Sequence, residues 1–215
     1  MAKKKEWREG EMIVTFGLTK IDRHYTSLMS EWVSAELPTF DVYEQANFER
    51  IAQKTNKVAS WSEEDLKMKF ISHILDLGGM LEEDRGFVSF FDKKLEAVVE
   101  GHRLSVKADF VLAKGVLDYM QRPFFHFQEY KPEKNPSGDP MAQLLEAFLI
   151  AQTENSDGKP LYGCEIVGKS WRFVTMEGKS YCVSKSYDST DREELFQIIA
   201  ILRQFRVILE TKLLS

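Results

Sequence analysis

The chain has 215 residues, of which 43% are hydrophobic and 29% charged, with a formal net charge of −5. Such a chain can bury one sizeable core plus an extension, and its acidic balance argues against a protein whose whole surface coats nucleic acid. No apolar run reaches the length of a membrane span, and the basic start "MAKKKEWREG" leads into no apolar signal segment, so a soluble, cytoplasmic protein with no membrane partner is expected.

Residues 1–58 read as a helical N-terminal extension. In "HYTSLMSEWVSAEL", Leu28, Trp32 and Leu37 fall at helical spacing up to the stop at Pro38, and "DVYEQANFERIAQKT" resumes the pattern. The basic "AKKK" reads as a solubilising end rather than a phosphate contact. A better-defined helix follows. Ser62 suits its N-cap, and Asp65 stands three residues on, where a capping box places its acid. Leu66, Phe70, Ile71, Ile74 and Leu75 line one face before Gly78-Gly79 ends it.

The period then changes from 3.6 to 2. "GFVSFF", "LEAVVEG" and "LSVKADFVLAKG" read as strands separated by the turn-like "DKK" and "GHR", and "PFFHFQEYK" as a further strand closed by the loop "PEKNPSGDP". Asp139 as N-cap and Pro140 at the first helical position start "PMAQLLEAFLIAQ". "LYGCEIVG", "SWRFVTMEG" and "KSYCVSKS" read as a meander. A terminal helix spans Asp191 to Lys212, apolar at Leu195, Ile198, Ile199, Leu202, Phe205 and Leu209, with a second apolar row at Ile201 and Ile208 that leaves room for a homodimer. The order of helix, strands, helix, strands and helix predicts an α/β protein with a central mixed β-sheet flanked by helices. Cys164 and Cys182 are too few for a disulfide framework and read as buried free thiols.

One group of residues carries chemistry. Cleaving a phosphodiester at neutral pH needs charge neutralisation and an activated water, which hard divalent cations held by carboxylate oxygens supply. Side chains two apart on a strand share a face, so Glu129 and Lys131 point the same way. Glu-x-Lys alone is a weak signal. It recurs at Glu177/Lys179, which contains Gly178 and reads as a turn, and at Glu210/Lys212, which lies on a helix. If 109–113 and 124–131 form an antiparallel hairpin, Asp109 falls beside Glu129 and Lys131. His126 alternates onto the opposite face and reads as a core histidine, while Phe124, Phe125, Phe127 and Trp171 read as packing rather than base-stacking residues.

"KADFVL", then "FFHFQEYK", then "GDPMAQLLEAFLIAQ" resemble the PD-(D/E)XK nuclease superfamily, over roughly residues 60–210. The resemblance implies a restriction-endonuclease-like core over 59–215. It implies Mg²⁺ or Mn²⁺ held by Asp109, Glu129 and the backbone carbonyl of Tyr130, with Lys131 facing the attacking water. "SWSEEDLKMKFISHIL" is similar to the family's first helix, whose acid falls on Glu63 in preference to Glu64, and Gln143 matches a position at the site's edge. The implied activity is metal-dependent hydrolysis of nucleic acid, DNA before RNA. Two features depart from the pattern: Lys107-Ala108 precede Asp109 where a proline is usual, and no basic helix for gripping DNA stands out. The competing readings are a non-catalytic nuclease-like module that binds nucleic acid or a partner protein, and a structural subunit assembled through its N-terminal helices.

Overall fold

The N-terminal segment enters the sheet. In the computed structural model, which describes residues 5–22, 24–82, 86–134 and 136–214, Glu9–Phe16 forms α1 and ends at Gly17, whose φ of 62° is the left-handed conformation that glycine adopts without a Cβ clash. Ala2, Lys3 and Lys4 of the basic start, and Asn135 of the loop "PEKNPSGDP", lie outside the described residues. Thr19–Ile21 forms β1, three residues with too little pattern to announce a strand.

Thr26 caps α2 (Ser27–Val33) by accepting the Met29 N–H. This helix stops well short of Pro38, and Leu37 is 59% exposed rather than part of an apolar stripe. The residue before a proline is driven from helical geometry, so the spacing of Leu28, Trp32 and Leu37 overstated the helix. Asp41 then opens α3 (Val42–Ala52) in a reciprocal capping box with Glu44.

Ser62 Oγ accepts the Asp65 N–H at 3.1 Å and starts α4 (Glu63–Leu66). A π-helical turn over Lys67–Ile71 leads into α5 (Ser72–Leu77). The whole run buries Leu66, Phe70, Ile71, Ile74 and Leu75, as their spacing predicts.

Three long strands follow: β2 (Val88–Val99), β3 (His102–Val116) and β4 (Tyr119–Lys131). The segment "DKK" is no turn. Strand β2 runs through it, pairing Phe91 with Phe110 and Lys93 with Ala108, while Asp92 between them takes a φ of 56°. Aspartate tolerates the left-handed region better than most residues, so the strand kinks there without ending. The turn comes at Glu100-Gly101, both with positive φ. Helix α6 (Pro140–Asn155), capped by Asp139, carries the chain to β5 (Leu161–Val167), which lies parallel to β4. The meander β5, β6 (Ser170–Glu177) and β7 (Ser180–Val183) is antiparallel, and a two-residue β8 (Tyr187–Asp188) pairs with β6. Asp191 caps α7 (Arg192–Ile208), which continues as a π-helical turn over Leu209–Leu213.

The result is an α/β protein with a mixed eight-stranded open sheet in the order β1-β7-β6-β5-β4-β3-β2, with β8 beside β6. Two apolar layers cover its faces. One packs α2, α3, α4, α5 and α7 against side chains such as Tyr130, Tyr162, Ile166 and Phe173; the other packs α1 and α6 against Val111, Phe127, Val174 and Met176. Ile201 and Ile208 are each 1% exposed in the first layer, so the apolar row that left room for a homodimer is consumed by the chain's own core. Cys164 and Cys182 are buried free thiols. Among the described residues no helix is long and apolar enough to cross a membrane.

The segment 1–58, read as an extension, supplies both an edge strand and core side chains. Trp32 is fully buried among Tyr162, Phe173, His126 and Phe205, and its indole N–H donates to the Ile201 carbonyl at 2.9 Å. Trp32→Ala is therefore expected to cost about 3–5 kcal/mol of unfolding free energy in urea, whereas Leu37→Ala stays within about 0.5 kcal/mol. Equal effects would refute the view that this segment is integral to the core.

Candidate functional site

The site begins where two strands part. The β3–β4 ladder pairs Phe110 with Gln128, and the same register sets Asp109 opposite Glu129. At that point the Asp109 side chain takes over from the backbone: its Oδ2 accepts the Tyr130 N–H at 2.8 Å. The antiparallel hairpin inferred from the sequence is present, and Asp109 does lie against the end of β4.

Glu129 and Lys131 project from one face, joined by a Lys131 Nζ to Glu129 Oε1 hydrogen bond of 2.7 Å. Tyr130, between them, points to the other face, where its hydroxyl donates to Gln128 Oε1 at 2.6 Å. On that face His126 is fully buried, and desolvation pushes its pKa down to about 3, so it is a neutral core residue. Phe124, Phe125, Phe127 and Trp171 are buried as well.

Asp109, Glu129 and Lys131 are 7%, 3% and 6% exposed, a degree of burial at which an unpaired charge is strongly disfavoured. Each has partners. Burial pushes the Glu129 carboxyl up to about 8; the Asp109 charge adds to the rise, and Lys131 offsets only part of it. Beside Glu129 in the parallel register stands Glu165, also 3% exposed and ion-paired to Arg172. Burial raises its pKa too, against the pull of Arg172. Two neighbouring buried carboxylates thus each keep a cation of their own.

A residue that the sequence reading did not single out sits at the centre. Lys67, the first residue of the π-helical turn, reaches Asp109 Oδ1 at 2.7 Å and Glu63 Oε1 at 3.0 Å. Oxygens of Glu64 and Asp92 lie at 3.8 Å from the same ammonium. Burial works against its charge, but the hydrogen bond to Asp109 and the charges of Asp109 and Glu63 outweigh it, so its pKa is raised. The only signal in the sequence was the Glu63–Lys67 spacing of four, which also describes any solvated helical pair.

The two helix acids separate clearly. Glu63 bonds Lys67 and lies 3.9 Å from Lys131 Nζ, whereas the Glu64 side chain is 77% exposed and only fringes the cluster. Gln143, on the second turn of α6, lines a cleft of about 280 Å³ with Lys131, Trp7 and Glu146. Its Oε1 is buried and accepts no hydrogen bond among the described residues. On the other side, Lys67 and Asp109 border a second cleft of about 360 Å³ walled by Met68, Ile71, Phe91 and Tyr130. The charged cluster is the partition between the two.

Carboxylate oxygens are the donors a hard divalent cation would take. Glu63, Asp109 and Glu129 supply oxygens, and an ammonium already stands as a cation between the first two. No three His, Cys, Asp or Glu among the described residues converge on one ion position. No protein-family model matches the chain, and no curated protein matches its sequence.

The raised Glu129 pKa has a consequence for stability. The folded chain holds this proton more tightly than the unfolded chain does, so between about pH 4.5 and about pH 8 stability falls as pH rises. In urea unfolding across that window, wild type is expected to lose stability relative to Glu129→Gln. Parallel curves for the two proteins would show that Lys131 fully offsets the burial.

Proposed function

We propose that this protein is a divalent-metal-dependent nuclease of the PD-(D/E)XK type with a restriction-endonuclease-like core, hydrolysing phosphodiester bonds of nucleic acid, DNA first. One observation carries the reading: a strand aspartate, a Glu-x-Lys pair on the neighbouring strand and an acid from the preceding helix meet at one end of the sheet, in a single linked charge cluster. The element order supports it as well, with a helix, three antiparallel strands, a helix and then β5 parallel to β4.

Mg²⁺ or Mn²⁺ would be held by Asp109, Glu129 and the Tyr130 carbonyl, and would supply charge neutralisation at the phosphate and activation of water. The chain's own residues do the rest. Asp109 is aimed by the Tyr130 N–H, which fixes one oxygen and leaves the other to face Lys67 and the apolar cleft. Lys131 is held by Glu129, with Glu63 behind it, so its ammonium is positioned to orient a water and to stabilise charge that develops on the phosphate oxygens. Gln143 lines the cleft on the Lys131 side, with its Oε1 buried and unpaired among the described residues.

The acidic balance of −5 and the neutralisation of Asp109 by Lys67 favour a second reading, a non-catalytic module of the same architecture. Incubating the purified chain with Mg²⁺ or Mn²⁺ and single- and double-stranded DNA and RNA separates the two. Cleavage is expected, and Lys131→Ala should reduce it about 10²-fold or more while far-UV circular dichroism stays unchanged. Cutting that survives Lys131→Ala would reject this site; no cutting together with no Mn²⁺ binding would favour the module.

A further inference from the structure

We infer that the ammonium group of Lys67 is a resident cation: it occupies the position bridging Asp109 and Glu63 and holds it against a divalent ion. The inference deepens the nuclease reading, since it concerns a cation position next to the one formed by Asp109, Glu129 and Tyr130.

The geometry exceeds what a helical ion pair requires. A spacing of four accounts for the contact with Glu63, but Asp109 comes from a strand 42 residues away and Asp92 from the kink in β2. Asp109 and Glu63 bond the ammonium at 2.7 and 3.0 Å, and the exposed Glu64 and Asp92, the latter also held by Lys107 at 3.1 Å, fringe it at 3.8 Å. Oxygen donors from several elements around one positive centre are what a hard cation site uses. Here the centre is covalently tethered.

The stem of Lys67 is also well placed to stay. Its side chain is only 15% exposed and leaves the backbone where α4 widens into the π-helical turn, and such widenings are frequent at functional sites. The occupancy has a cost for any competitor. Asp109 Oδ2 is taken by the Tyr130 N–H and Oδ1 by Lys67, so an ion shared by Asp109 and Glu63 must first expel the ammonium. An ion at Asp109, Glu129 and Tyr130 would draw on Asp109 too, but its other two donors, Glu129 and the Tyr130 carbonyl, are not bound to Lys67. Lys67 thus limits the site to fewer metal ions than its carboxylates could carry.

Counting bound Mn²⁺ by electron paramagnetic resonance titration tests this without reference to activity. Lys67→Met and Lys67→Gln are each expected to bind one more Mn²⁺ per chain than wild type, and adding Glu63→Gln should remove the extra ion. The Gln variant guards against a folding failure, since its amide keeps a hydrogen bond for Asp109. Equal counts in wild type and both variants would overturn the inference, and so would variants that stay unfolded in Mn²⁺, because an ion in the ammonium's place restores the charge balance. The wild-type count reads the nuclease proposal alone: a wild type that binds no Mn²⁺ sinks the Asp109–Glu129–Tyr130 position, while the difference between wild type and the Lys67 variants still decides the role of Lys67.

Discussion

The hydrogen bond from the Tyr130 N–H to Asp109 Oδ2 is the point on which the rest of the site turns. A backbone donor at a strand end must find a partner when it is buried. Here it finds a side chain instead of the neighbouring strand, and the side chain that obliges is thereby clamped. Because the β3–β4 register sets Asp109 opposite Glu129, the same bond brings two buried carboxylates near each other. Everything else in the cluster answers the electrostatic problem that this creates.

The answer comes from three directions. Lys131 neutralises Glu129 from the same strand, Lys67 neutralises Asp109 from the helix, and Glu63 links the two ammonium groups. Buried ion pairs of this sort repay their desolvation only when the geometry is good and remaining protons and lone pairs are satisfied. The distances of 2.7–3.0 Å meet that condition. Burial, with the Asp109 charge adding to it, makes Glu129 hold its proton tightly.

Much of this was legible in the sequence. Strand spacing was enough to put Glu129 and Lys131 on one face, because side chains two apart on a strand share a face, whereas the pairing of "KADFVL" with "FFHFQEYK" was a condition that the structure met. The helix stripe Leu66, Phe70, Ile71, Ile74 and Leu75 and the caps Ser62 and Asp139 were legible for the same kind of reason, as local stereochemistry. Lys67 was not. An i,i+4 Glu–Lys pair looks identical whether it lies in water or is clamped by an aspartate from a distant strand. Nor was Asp92, since "DKK" reads as a turn unless one knows that β3 runs alongside and keeps pairing through the kink. Strand β1 escaped because three residues carry no period, and its place is set by the open edge of β7.

The sequence by itself therefore determined most of the helices and strands and the shared face of Glu129 and Lys131, which follow from backbone periodicity and capping chemistry within a few residues. Only the tertiary structure decided which charge neutralises which, that Glu63 rather than Glu64 joins the cluster, and that the N-terminal segment belongs to the core. Those outcomes depend on burial and on distances between elements far apart in the chain. Electrostatic energies change steeply with both, and neither is encoded in local spacing.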